Sequence, residues 1–325
     1  MTDTKIVPAI VGVAHFGKQR PWITTPSTTG VSEAQEFLDT AAQYGCRRLD
    51  TARMYGQGES EALLGKLDFN NGSFSVDTKL SSRDGGLRAD KLDAQLAQSI
   101  AALNGIPIRV LYWHAVDRET PFAESLEVMD RLHKHGLYEE FGLCNAFSWE
   151  VAEIATICRE RGWIRPTVYQ GIYNALDRAV EDELLPCLRK FGIRFAAYSP
   201  LAGGLLTGIH LDNPNAFDNN VRFSPRSPLL SFYGPRYAHT EPVLRRVKAL
   251  AEKHGLTLTG CAVRWIVYHS KMRPDDHGVI YGGRNSEQIR ASLSCIAKGP
   301  LPEEIVKEFD DSYISELKGF VGAYA

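Results

Sequence analysis

The sequence predicts an α/β protein closed into a single-domain (β/α)8 TIM barrel. Short apolar runs of β character alternate with helix-periodic stretches along all 325 residues, a pattern that requires a parallel sheet with crossover helices. There are about eight such units, the number at which a parallel sheet closes on itself. No linker, internal repeat or low-complexity tract divides residues 1–325, and barrels of this kind routinely exceed ~250 residues as one domain.

The strands are expected at 9–14, 47–51, 75–79, 110–114, 140–145, 167–173, 194–199 and 278–282. Helices at 32–44, 90–103, 122–135, 149–161, 182–191 and 286–295 fill the intervals. Ser32, with Glu33 and Gln35 behind it, reads as an N-cap and acidic first turn. Trp149, Val151, Ile154, Ile157 and Cys158 recur at helical spacing. Gly45, Gly136, Gly162 and Gly192 stand where a helix ends in left-handed backbone. The seventh unit is irregular: a loop over 203–240, rich in Pro, Asn, Ser and Arg, precedes helices at 242–253 and 258–268. A loop of that length in a compact domain is expected to cover or bind something.

A hydrophobic share of 44% and a charged share of 23% are ordinary for a globular chain. The formal net charge of −2 creates no field favouring nucleic acid or anionic membrane. No apolar run reaches membrane-helix length, and the N-terminus lacks a signal-peptide layout. The expectation is a cytoplasmic monomer or homodimer without membrane or nucleic-acid partners. None of the six cysteines forms a C-x-x-C pair, so they are expected to be reduced and structural.

In a barrel, chemistry collects at the C-terminal ends of the strands. Those positions hold Asp50 after the second strand with Tyr55 in its loop, Lys79 ending the third and His114 ending the fourth. Singly, Asp50 and Lys79 read as a buried ion pair and His114 as a core histidine. Together they have one coherent task. Asp50 holds Lys79 charged, Lys79 lowers the pKa of Tyr55, and Tyr55 protonates an oxygen that His114 orients. That is the acid half of a carbonyl reduction. Metal-dependent hydrolysis would need more converging ligands than His114 and Asp50.

The segment Leu49-Asp50-Thr51-Ala52-Arg53-Met54-Tyr55-Gly56, with Lys79 in "DTKL" and His114 in "LYWHA", resembles the signature of the aldo-keto reductases. "SWEVAEI" (148–154), "PTVYQGIYNA" (166–175) and "SPLAGGLLTG" (199–208) are most similar to the aflatoxin-aldehyde reductase branch, and the resemblance covers nearly the whole chain. It implies Asp50, Tyr55, Lys79 and His114 as the catalytic tetrad, with Tyr55 the general acid. It also implies NADPH as cofactor, bound without a G-x-G-x-x-G loop, which this chain lacks. A second class compatible with the same resemblance is a nicotinamide-binding regulatory subunit like the potassium-channel β subunits.

The resemblance further assigns Asn145 and Gln170 to the nicotinamide amide and Tyr198 to stacking on its ring. Ser199, Leu201, Gly203 and Leu205 fall in the pyrophosphate loop, where missing side chains permit close backbone approach. Gly282, Arg284 and Gln288 fall in the 2′-phosphate and adenosine segment. The chain departs from the pattern at Cys144, where relatives carry serine, at Ile209, where many carry lysine, and at Ala291-Ser292. Arg222, Arg284, Gln288 and Arg290 are placed to compensate, because guanidinium grips phosphate bidentately. For a small carbonyl substrate the candidates are Trp22, Met54, Phe147, Tyr233 and Arg236. Strand alternation turns Trp113 away from the inward His114. The closing Gly-Ala-Tyr-Ala lacks the arginine that some relatives use for carboxylated substrates, which favours aromatic or hydrophobic aldehydes and ketones.

Overall fold

Eight parallel strands pair in sequence order and close. They are β1 Ala9–Gly12, β2 Arg48–Asp50, β3 Ser75–Leu80, β4 Ile108–Trp113, β5 Glu140–Cys144, β6 Pro166–Ile172, β7 Arg194–Tyr198 and β8 Gly278–Gly282. β8 returns to β1 from Ala9↔Val279 to Gly12↔Gly282. The computed structural model describes residues 6–19, 27–69, 74–218, 220, 222–319 and 324. Each strand coincides with an expected run to within about two residues.

The helices are α1 Val31–Gln43, α2 Glu59–Leu64, α3 Ala89–Leu103, α4 Phe122–Lys134, α5 Ser148–Arg161, α6 Leu184–Phe191, α7 Ile209–Asp212, α8 Leu230–Tyr237, α9 Glu241–Lys253, α10 Leu258–Tyr268, α11 Ser286–Leu293 and α12 Glu303–Ser312. Gly45, Gly136, Gly162 and Gly192 take φ of 78°, 71°, 67° and 69° at helix ends, as expected. Ser32 is not the N-cap of α1. That position belongs to Gly30, whose extended backbone leads in without a side-chain bond, leaving Ser32 exposed inside the first turn. Four helices escaped the sequence reading: α7 and α8 lie in the stretch expected as a loop, and α2 and α12 lie outside it. α2 is too short to show a period, whereas α12 buries Ile305 and Phe309 at a readable i, i+4 spacing.

The stretch over 203–240 carries structure of its own: a 3-10 turn at Ala202–Thr207, then α7, a second 3-10 turn at Pro214–Phe217, and α8. α8 is fastened to the barrel by the buried pair Arg236–Asp177 at 2.7 Å.

Most of the core lies between strands and helices. Trp113 packs there against Phe122 and Phe141, on the side that alternation requires. A second cluster, Ile10, Val110, Tyr112, Val168, Ala196 and Ile280, fills the barrel itself. It forms the floor on which the C-terminal rim is built. Among the described residues no helix is long and apolar enough to cross a membrane.

Candidate active site

The turn after β2 is shaped for Tyr55. Gly56 has φ of 56°, and a Cβ there would lie 2.2 Å from the carbonyl oxygen of Phe16, so only glycine fits. Behind the turn, the fully buried Glu61 accepts from Arg53 at 2.5 Å and from Thr78 at 2.6 Å. Neither Arg53 nor Glu61 was singled out from sequence. The signal was a carboxylate amid the apolar Ala62, Leu63 and Leu64.

Asp50, Tyr55, Lys79 and His114 meet on one rim. Lys79 Nζ donates to Asp50 Oδ1 at 2.7 Å, to Oδ2 at 2.8 Å and to the Thr51 carbonyl at 2.8 Å. Burial alone would lower the Lys79 pKa, but the Asp50 charge overrides it and holds the ammonium above its ordinary range. Lys79 Nζ lies 5.1 Å from the Tyr55 ring centre, and the Tyr55 and His114 rings meet edge to face at 5.6 Å. The expected depression of the Tyr55 pKa is outweighed: burial pushes the phenol up, against the pull of Lys79. Tyr55 is therefore a neutral, proton-bearing phenol in the protein alone. Burial, with Lys79 and Arg83 behind it, lowers the His114 pKa to about 3, so its imidazole is neutral as well.

Gln170 is drawn into the same cluster. Its Nε2 donates to Asp50 Oδ2 at 2.7 Å, an orientation the carboxylate imposes because it can only accept. Asn145 stands at the end of β5 with a left-handed φ of 50°. Its Nδ2 donates to the His114 carbonyl at 2.9 Å and to Cys144 Sγ at 3.1 Å, and its Oδ1 accepts from the Tyr198 hydroxyl at 3.0 Å. Cys144 is buried, and burial pushes its thiol up to about 12. Asn145 thus ties Cys144 to Tyr198, and Gln170 stands beside Cys144 in strand register.

A second group lies on the β7, β8 and β1 side. Ser199 and Ala202 take φ of 55° and 49°, non-glycine left-handed backbone of the kind that clusters at ligand sites. Leu201 precedes the Ala202–Thr207 turn, and Leu205 is buried within it. A Cβ on Gly203 would meet Arg222 Cδ at 2.7 Å. Asn220 ties this turn to Arg222: its Nδ2 donates to the Gly203 carbonyl at 3.2 Å, and its Oδ1 accepts from the Arg222 amide at 2.7 Å. Arg222 Nε is buried without a hydrogen-bond partner among the described residues. Arg284, in the loop after Gly282, has its pKa lowered by burial and by Arg222, so the two guanidiniums feel one another. Gln288 accepts from the Arg284 amide at 2.9 Å. His15, after β1, also escaped the sequence reading. Burial and the Arg284 charge lower it to about 3, and its Nε2 is a second buried atom without a described partner. Two cations within reach of each other's charge, beside buried unpaired nitrogens and a glycine turn, fit a phosphate-bearing ligand.

Of the substrate candidates, Trp22 lies outside the described residues. Met54 is exposed next to Tyr55. Phe147 is half-buried, with the Arg118 guanidinium 5.1 Å from its ring centre and Tyr324 5.8 Å away. Tyr233 is buried, with its hydroxyl 3.4 Å from Ser199 Oγ. Arg236 is committed to Asp177 and supports α8. Arg290 is exposed on α11, and its contact is with Gln43 on α1. Among the described residues no group of three or more His, Cys, Asp or Glu side chains is placed to hold a metal.

The chain is similar to known proteins over most of its length. The model of the aldo/keto reductase family matches residues 9–314. An aldo-keto reductase of Pseudocercospora fijiensis is 39% identical over 85% of this chain and 96% of its own length. The aflatoxin B1 aldehyde reductases member 2 of Rattus norvegicus and Homo sapiens are 40% and 37% identical, each over 94% of this chain, covering 84% and 86% of their own lengths.

Proposed function

Given that the chain belongs to the aldo/keto reductase family, whose members are carbonyl-reducing oxidoreductases, we propose that it reduces an aldehyde or ketone to an alcohol with NADPH and with Tyr55 as general acid. The observation that carries this reading is the convergence of Lys79 on Tyr55 and Asp50, with His114 edge to face against the phenol. Relatives named as aflatoxin B1 aldehyde reductases favour aldehydes as the substrate class.

NADPH, when bound, supplies the hydride; the chain supplies the proton and the geometry. Arg222 and Arg284 take the phosphate end, with the backbone of Leu201, Gly203 and Leu205 and the side chain of Gln288 lining the approach. Asn145, Gln170 and Tyr198 take the nicotinamide end. The substrate oxygen lies between Tyr55 and His114. A neutral imidazole donates an N–H there without adding charge, which aims the carbonyl and polarises it. The proton leaves the Tyr55 hydroxyl as the alkoxide develops, and the adjacent Lys79 ammonium stabilises the phenolate left behind. Asp50, held by Lys79 and Gln170, keeps that ammonium in place.

The test is an NADPH-oxidation screen over aromatic aldehydes, dicarbonyls, quinones and ketones, with Tyr55→Phe as control. The variant is expected to lose at least roughly a hundredfold in kcat while still binding NADPH. Unchanged turnover in Tyr55→Phe would remove Tyr55 from the role of acid.

A further inference from the structure

We infer that a cleft of about 130 Å³ between the C-terminal ends of α5 and α6, lined by Arg159, Arg165, Lys190, Ala155, Pro166 and Phe191, is a binding site for a phosphate monoester. It lies away from the reaction, because Pro166 opens β6 at the N-terminal end of the barrel, opposite the rim that carries the tetrad.

Three observations carry this. All three charged lining residues are cations, and no carboxylate lines the cleft. Asp276, by contrast, already claims the neighbouring Arg189 at 2.5 Å, and Glu140 claims Arg194. Arg159, Arg165 and Lys190 are left without an ion pair or hydrogen bond among the described residues.

The ordinary use of cations in this position is to neutralise carbonyls at helix ends. Here backbone amides already serve part of each helix end. The Cys158 carbonyl accepts from Trp163 at 2.9 Å and from the Gly162 cap, and the Leu188 carbonyl accepts from Ile193 at 2.9 Å and from the Gly192 cap. Arg165 stands outside both helices, so helix capping does not account for it.

Size and chemistry select the ligand. At roughly 30 Å³ per water, the cleft holds about four waters, enough room for one tetrahedral oxyanion. Two guanidiniums and an ammonium suit a dianionic phosphate, which guanidinium engages bidentately. Phe191 and Ala155 offer an apolar wall to the ester substituent.

Phenyl phosphate is the probe, titrated calorimetrically into protein saturated with NADP+ so that the cofactor's phosphate positions are filled. Wild-type protein is expected to bind one equivalent, and Arg165→Ala/Lys190→Ala, both exposed positions, to bind at least tenfold more weakly. Equal binding by wild type and the double variant, or binding that never saturates, would overturn the site. Benzoate binding as tightly as phenyl phosphate would overturn the assignment to phosphate.

Discussion

Lys79 Nζ reaches both carboxylate oxygens of Asp50, at 2.7 and 2.8 Å, in a barrel that exposes neither side chain by more than 5%. Removing one member of such a pair strands the other charge in a poorly solvated site. Lys79→Met is therefore expected to destabilise the protein by about 3–5 kcal/mol. Asp50→Asn/Lys79→Met, which removes both charges, should recover a large part of that loss. Urea unfolding of the two variants checks this, and a double variant no more stable than the single one would contradict it.

His114 gives a pH signature. Its folded pKa of about 3 lies below the unfolded value of ~6.5. Between those values the unfolded chain binds more protons than the folded one, so stability falls as pH drops from ~6.5 toward 3, by at most about 1.4 kcal/mol per pH unit for one histidine. His15 shifts in the same direction and adds a contribution of the same sign. Melting curves from pH 7 to pH 4 should be flatter for His114→Gln than for wild type, and flatter still for His15→Gln/His114→Gln. The same shift predicts that kcat shows no histidine ionisation near pH 6.5.

Cys144 tests the proposed nicotinamide contacts. Its sulfur is a weak acceptor for Asn145 Nδ2 at 3.1 Å. Serine accepts more strongly, so Cys144→Ser should hold Asn145 more firmly and tighten NADPH binding by roughly two- to tenfold, the range of one improved neutral hydrogen bond. Fluorescence titration measures this. Iodoacetamide should modify Cys144 slowly at neutral pH with or without cofactor, because burial keeps the thiol protonated.

Arg222 and Arg284 should separate the two nicotinamide cofactors. Arg222→Ala/Arg284→Ala is expected to raise KM for NADPH by tenfold or more and to change KM for NADH little, since charge-assisted bonds to phosphate are worth about 1.5–3 kcal/mol each. Equal effects on both cofactors would place the arginines elsewhere in the chemistry.

The barrel, and the meeting of Asp50, Tyr55, Lys79 and His114 on one rim, were legible in the sequence because their signals are local or periodic. Strand alternation, helix-ending glycines and polar residues at strand ends need only a few neighbours to be read, and they suffice to place Asp50, Lys79 and His114 on one rim. Closure of the barrel decided the rest. Gln170 meets Asp50 across 120 residues of sequence, Arg236 meets Asp177 across 59, and His15 comes under the charge of Arg284. No period or motif records such pairings, because they depend on which side chains converge once eight strands share an axis. The protonation states of Tyr55 and His114 belong to the same category. Sequence names the groups, but burial opposes the charge–charge terms, and only the packed structure determines how strongly.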